Sequence, residues 1–259
     1  MVPNSYDIIG NIAILKFNEG IRKSEKIKSA EELLKKNKSI TTVLEKSGKI
    51  KGRLRKFKTI YLAGIKTKVA IYRENGCLFK FDIDKTYFSP RLSNERNEIA
   101  KQVKKNEKVM VLFAGVAPFT IVIAKIARPK IVYSVEINRE ASKYAEENVR
   151  LNKLDNIKII QGDIKRVIPK LIKEGKIFDR IVMARPQLKD TFLASSLKII
   201  KKNGIINYYG FAKEEKSVLK EIEMDCKKAK KQIKLIRTKK AGDIAPYKYR
   251  FRVDFRVLN

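Results

Sequence analysis

Residues 87–120 read YFSPRLSNERNEIAKQVKKNEKVMVLFAGVAPFT, and the change of rhythm inside them sets the fold. The first half is polar and charged, a connector running into a helix expected over Asn94–Val103. The second half is an apolar run, Val109–Phe113, which breaks at Ala114-Gly115-Val116-Ala117-Pro118. A short apolar run ending in small residues predicts a buried strand entering a tight turn. Beyond it the same unit recurs. Strands are expected at Ile131–Glu136, Ile157–Gln161, Arg180–Met183 and Gly204–Tyr209, with helices at Phe119–Ile126, Arg139–Asn152, Ile164–Leu171 and Lys189–Ile200 between strands. Regular alternation of this kind predicts an α/β domain whose parallel sheet is covered on both faces. A basic helix over Lys213–Lys230 and an alternating strand over Tyr247–Leu258 come last, and predict an antiparallel edge pair.

Upstream the pattern is different. Short alternating, β-branched segments predict strands at Asn11–Phe17, Thr59–Ala63, Lys68–Tyr72 and Cys77–Ile83, the last two joined by a turn at Glu74-Asn75-Gly76. One helix is expected over Ser24–Lys36, where Ile27, Ala30, Leu33 and Leu34 share a face. A basic segment, Lys49–Lys58, runs through this part. The expectation is therefore two domains: a small α+β domain over residues 1–85 and the α/β domain over 86–259, connector helix included.

With 259 residues and 44% hydrophobic content, the chain is large enough for a standard core plus a small second one. Charge is the unusual quantity: 60 Lys and Arg against 28 Asp and Glu, a net +32 spread along the chain. A heat-adapted surface is also lysine-rich, but Glu then rises with Lys, which it does not do here. A polyanion, nucleic acid first, is the expected partner. The absence of histidine removes His general bases, Ser-His and Cys-His nucleophiles and all His-containing metal sites. Cys77 and Cys226 are too few for a cysteine-rich zinc site, so no metal is expected. No apolar run reaches a membrane span and no signal-peptide layout is present, which predicts a soluble, cytoplasmic protein.

Three strand ends carry ligand chemistry. The turn Phe113-Ala114-Gly115 brings bare backbone to the carboxyl end of the first strand. Glu136 ends the second strand about 20 residues further on, where a carboxylate accepts from a ribose diol. The third ends at Gly162-Asp163, whose carboxylate can accept from an adenine amino group. Ile137 and Ile164 follow the two acids and complete the set. Together these predict an adenosine-containing cofactor. The turn lacks the spaced glycines a pyrophosphate needs, and the chain finishes with the antiparallel pair, so S-adenosylmethionine is expected over a dinucleotide.

These residues resemble a known family, the archaeal and eukaryal tRNA (guanine-37-N1)-methyltransferases. The resemblance runs through Pro3–Gly10, Tyr87–Arg91, Asn94-Glu95-Arg96, Phe113–Val116 with Pro118-Phe119, Ala145–Asn148 with Leu151–Lys153, Asp179–Met183, Ala245–Tyr247 and Asp254-Phe255. It implies a class I methyltransferase (Rossmann-like) sheet, a tRNA-binding domain in front, a tRNA anticodon loop and stem as partner, and a monomer. It also implies a short form lacking the small leading domain that many archaeal members carry. Glu95 matches the family's proposed general base, which removes the N1 proton of guanine-37. Arg55 matches an arginine that steadies the charge developing on that guanine. Tyr87, Arg91 and Pro186 match positions lining the cofactor and target-base pocket. Spacing alone places Arg91 and Glu95 on one face if their segment is helical.

Three departures stand out. Val111 takes the place of the Asp that opens the family's first motif, and Ala117 that of its second turn glycine. Ala184-Arg185-Pro186 replaces Asn-Leu-Pro after the fourth strand, which removes a side-chain amide from the target-base site. Two alternatives to methylation of guanine-37 therefore stay open: methylation of the wyosine precursor 4-demethylwyosine at the same position, alone or in addition, and a catalytically weak tRNA-binding protein.

Overall fold

The structure is a computed structural model that describes residues 6–51 and 56–259, with the backbone alone at 49–51 and 56–57. It divides into two compact units, Met1–Pro90 and Arg91–Asn259.

In the first unit, β1 (Tyr6–Ile9), β2 (Ile12–Leu15), β3 (Thr42–Lys51) and β4 (Lys56–Gly64) form a sheet in that order. Strands β2 and β3 run parallel, which requires a crossover, and α1 (Lys23–Lys36) supplies it. The expected face of α1 is the one buried: Ala30 and Leu33 pack on Ala13, Leu15, Val43 and Leu62, with Ile27 and Leu34 at the margin. A separate hairpin, β5 (Val69–Glu74) and β6 (Cys77–Asp82), turns at Asn75-Gly76 as the sequence predicts. Gly10 makes the β1–β2 turn at φ +60, and a Cβ there would stand 1.9 Å from the carbonyl oxygen of Ile71, so no other residue fits.

The second unit holds α2 (Ser93–Gln102), β7 (Lys108–Leu112), α3 (Pro118–Ala127), β8 (Ile131–Glu136), α4 (Arg139–Leu151), β9 (Ile157–Gln161), α5 (Ile164–Lys173), β10 (Phe178–Met183), α6 (Leu193–Ser196), β11 (Ile200–Ala212), α7 (Glu215–Lys228), β12 (Ile233–Ala245) and β13 (Lys248–Val257). The sheet order is β12-β13-β11-β10-β7-β8-β9. Strands β7 to β11 are mutually parallel, while β13 runs antiparallel to both of its neighbours, β11 and the edge strand β12. The chain moves outward from β7 in one direction through β8 and β9, and in the other through β10 and β11. That reversal opens a crevice at the carboxyl ends of β7 and β10, where α/β sheets place their ligands.

The two faces of this sheet differ chemically. One is an ordinary apolar core, with Ile168 and Leu171 of α5 and Val218 and Ile222 of α7 packed on Met110, Val135, Ile181, Ile206, Val253 and Phe255. Cys226 lies in this core, and burial raises its thiol pKa to about 11; Cys77 is buried in the first unit and neither is disulfide-bonded. The other face carries a buried chain of polar side chains. Arg180 donates to both carboxylate oxygens of Glu107, at 2.7 and 3.2 Å, and to Asn207 at 3.1 Å. Asn207 donates to Asp254 at 2.7 Å, and Asp254 pairs with Arg252 at 3.2 Å.

Two sequence expectations need correcting. The helix expected over Lys189–Ile200 is a single turn, α6, because Phe192 at its start is left-handed (φ 59), which interrupts a right-handed helix; the carbonyls of Leu188 and Asp190 before it accept from Arg185 instead. Arg91 and Glu95 do not share a face: α2 begins at Ser93, Arg91 lies in the preceding 3-10 turn and is exposed, and Glu95 is buried. Among the described residues no helix is long and apolar enough to cross a membrane.

Candidate active site

The carboxyl edge presents, in spatial order, Ala184–Pro186 after β10, Phe113–Ala117 after β7, Glu136–Asn138 after β8 and Gly162-Asp163 after β9. The turn after β7 is built from left-handed residues: Phe113 (φ 59), Gly115 (φ 57) and Ala117 (φ 66). Only glycine takes this conformation freely, so Ala117 costs about 1 kcal/mol here. The turn holds because it is stitched to its neighbour. The Ala114 amide donates to the Val135 carbonyl at 3.0 Å, and Pro118 starts α3 with φ preset for a helix.

Glu136 is the centre of this edge. Its Oε2 accepts from the Gly115 amide at 2.7 Å and its Oε1 from the Asn138 amide at 2.7 Å, while its own carbonyl accepts from the Gly162 amide at 2.8 Å. One residue thereby ties together the loops after β7, β8 and β9. Asp163 is the N-cap of α5, accepting from the Lys165 amide at 2.9 Å, and Ile164 is buried in the apolar core beneath it. The ring of Phe113 packs edge-on against Phe192, 5.3 Å between centroids, so what this residue offers the crevice is its backbone. Ile137 is half-buried beside Glu136.

The edge suits an adenosine-bearing molecule. A carboxylate immobilised by two backbone amides is an acceptor for vicinal hydroxyls, the glycine beside it leaves room for close approach, and an acid stands on the next strand. Val111 is fully buried in the middle of β7 between Ser134 and Val182 and belongs to the core. A shallow pocket lined by Lys108, Tyr133 and Phe178 lies at the opposite, amino edge of the sheet, away from this chemistry. Among the described residues no group of three or more His, Cys, Asp or Glu is placed to hold a metal ion.

Glu95 occupies a different environment, 4% exposed in the first turn of α2. Its Oε2 accepts from the Tyr209 hydroxyl at 3.0 Å and from Arg252 Nη1 at 2.7 Å, and its Oε1 pairs with Lys239 Nζ at 2.8 Å. Glu98, one turn on, binds the same two cations, and its hydrogen bond with Lys239 lowers its pKa. Burial, and then the charge of Glu95, hold the Tyr209 hydroxyl protonated well above its usual range, so it donates to the carboxylate. Tyr209, Lys239, Glu98 and Arg252 are neighbours of this candidate site that sequence reasoning missed. A signal was present in β13, where Arg250, Arg252 and Asp254 alternate with Phe251, Val253 and Phe255.

Arg185 does not replace the missing amide. Its guanidinium turns inward, donating to the carbonyls of Tyr209, Leu188 and Asp190 at 3.1 to 3.2 Å and to Glu221 at 3.0 Å, while stacking over Tyr208. It holds in place the loop that contains Pro186. Tyr87 belongs to the first unit, next to Phe88, whose ring packs on Tyr72 and Phe81. Arg55 lies outside the described residues.

Comparison with known proteins gives the family. Residues 70–236 match the TRM5/TYW2 methyltransferase domain, and residues 1–67 match the TYW2 N-terminal domain. The chain belongs to the TRM5/TYW2 methyltransferase family. A Pyrococcus abyssi relative, tRNA (guanine(37)-N(1))-methyltransferase Trm5b, is 36% identical over 99% of this chain and 76% of its own. Its crystal structure superposes with a TM-score of 0.86, at 35% identity over the same shares of the two chains. The Nanoarchaeum equitans relative, tRNA (guanine(37)-N(1))/4-demethylwyosine(37)-methyltransferase Taw22, is 34% identical over 98% of this chain and all of its own. A crystal structure of Methanocaldococcus jannaschii TYW2 in complex with AdoMet matches with a TM-score of 0.74, 27% identity, and coverage of 98% of this chain and all of that one. The TRM5/TYW2 sheet is thus the frame in which Glu136 and the Gly115 turn are placed.

Proposed function

We propose that this chain is a tRNA methyltransferase that uses S-adenosylmethionine to methylate N1 of guanine-37 in the anticodon loop. The observation that carries the proposal is the immobilised Glu136–Gly115 pair, on the strand ends beside the switch point of a TRM5/TYW2 sheet. S-adenosylmethionine, when bound, supplies an electrophilic methyl group on a sulfonium. Glu136 accepts from its ribose hydroxyls, Asp163 and the backbone at Ile137 and Ile164 face its adenine, and Phe113–Gly115 give it backbone contact. Arg91 and Pro186 of the second unit, and Tyr87 of the first, are the residues the family resemblance assigns to cofactor and target-base recognition.

Guanine N1 carries a proton at neutral pH, so attack on the methyl needs a base. Glu95 takes that proton, which requires its Oε1 to exchange the Lys239 ammonium for N1–H. Arg55 steadies the charge on the guanine as the proton leaves. The small domain over 1–85 and the lysine-rich surface hold the tRNA backbone, whose phosphates are matched by a net charge of +32. The chain acts as a monomer in the cytoplasm.

The second reading, methylation of 4-demethylwyosine at the same position, is favoured by one observation. Ala184 offers the target-base side no side-chain amide, and Arg185 is committed to Tyr209 and Glu221, so the hydrogen bonding expected for guanine selection is absent from these two residues. Mass analysis of nucleosides after incubation with unmodified and precursor-bearing tRNA separates the two: 1-methylguanosine from the first substrate supports the main reading, and product from the second alone replaces it.

The cofactor assignment has its own test. Glu136→Gln keeps the shape and removes the charge that accepts from two hydroxyls, so S-adenosylmethionine affinity should fall tenfold or more, about 1.4 kcal/mol. An unchanged dissociation constant by calorimetry would remove Glu136 from the site.

A further inference from the structure

The β12–β13 hairpin reaches past the sheet on the side that carries the candidate site. Strand β10 ends at Met183, level with Tyr208 of β11 and, one strand further, Val253 of β13. Strand β11 continues to Ala212, opposite Tyr249, and the hairpin closes beyond that with Ala245 paired to Lys248 across Pro246-Tyr247. At about 3.3 Å per residue its tip stands roughly 20 Å past the level of Met183. The hairpin tip and the crevice therefore share one edge.

Tyr247 at that tip is 76% exposed and has φ +55. The position after Pro in such a two-residue turn favours Gly or Asn, so a tyrosine there carries a backbone cost and recovers little by burial. Its surroundings are cationic. Lys213 is exposed immediately after the end of β11, Lys216 is exposed in the first turn of α7 with the exposed Glu214 between them, and Lys248 follows Tyr247. Lys240 lies over the ring of Tyr249 at 3.8 Å and pairs with Asp243 at 2.7 Å. An exposed aromatic ring among ammonium groups has the chemistry of a stacking platform for an unpaired base with flanking phosphates.

We propose that the hairpin tip is an RNA contact in which Tyr247 stacks on an unpaired base of the substrate loop and Lys213 and Lys248 face the adjoining phosphates. This rests on the reading of the chain as an enzyme acting on RNA. The test compares the wild type with Tyr247→Gly and Tyr247→Phe, using an anticodon stem–loop transcript with a fluorescent aminopurine beside the target guanine. The glycine variant frees the backbone, so its melting temperature should match or exceed the wild type while RNA affinity falls about tenfold and the aminopurine quenching is lost. The phenylalanine variant keeps the ring and should bind like the wild type. S-adenosylmethionine affinity and the methylation rate at saturating RNA should stay unchanged in both. Equal RNA affinity of wild type and Tyr247→Gly overturns the proposal. So does a change in self-association of the glycine variant with RNA binding intact, since the tip would then be a protein contact. A wild type that fails to bind the transcript overturns the functional reading first, and this contact with it.

Discussion

Replacing Glu95 by Gln should lower the single-turnover rate of methyl transfer to a guanine-37 transcript by about 100- to 10,000-fold, the usual contribution of a positioned base. The same change carries a folding cost. Glu95 is buried against Arg252 and Lys239, and an amide in its place leaves a guanidinium that is 1% exposed with less charge compensation. Removing one partner of a buried pair costs about 3–5 kcal/mol, toward the lower end here because Glu98 and Asp254 also face Arg252. The rate must therefore be read on protein shown to be folded and to bind S-adenosylmethionine. A folded Glu95→Gln protein with an unchanged rate would leave Glu95 as an anchor for α2 and no more. Tyr209→Phe serves as the control, because it deletes one hydrogen bond to the carboxylate and leaves both cations in place.

The largest loss of stability is expected from Arg180→Met. Arg180 is 1% exposed and joins α2, the α2–β7 connection and β11 through Gln102, Glu107 and Asn207. Its removal strands Glu107 and the carbonyl of Gln102 beneath α2. A cost of about 3–5 kcal/mol corresponds to a fall of roughly 10 °C in Tm for a domain of this size. Pairing it with Glu107→Leu should recover most of that fall, since two apolar groups need no partners. Thermal melts of the single and double variants decide it; a single variant melting within about two degrees of the wild type would mean the network adds little.

Much of the fold follows from local pattern. Strand and helix alternation after Val109 set the parallel sheet, because periodicity reports which residues face the core whatever the neighbours are. The gathering of the candidate residues at one edge was legible for a similar reason. Gly115, Glu136 and Asp163 sit at the ends of successive parallel strands, and parallel strands joined by right-handed crossovers bring those ends to one edge. The buried face of α1 was readable from Ile27, Ala30, Leu33 and Leu34 alone.

What lay beyond the sequence depends on which strands become neighbours. Arg252 meets Glu95 across 157 residues only because β13 is inserted beside β11, under α2. In isolation β13 reads as a strand with one face in water, since Arg250, Arg252 and Asp254 alternate with apolar residues; with helices over both faces, those charges can exist there only as pairs. The inward turn of Arg185 is likewise set by the Tyr209 carbonyl of β11 and by Glu221 of α7. The sequence by itself determined the sheet and the edge at which Gly115, Glu136 and Asp163 stand. The tertiary structure decided the partners of Glu95, because a charge removed from water is governed by the groups packed around it and not by its position along the chain.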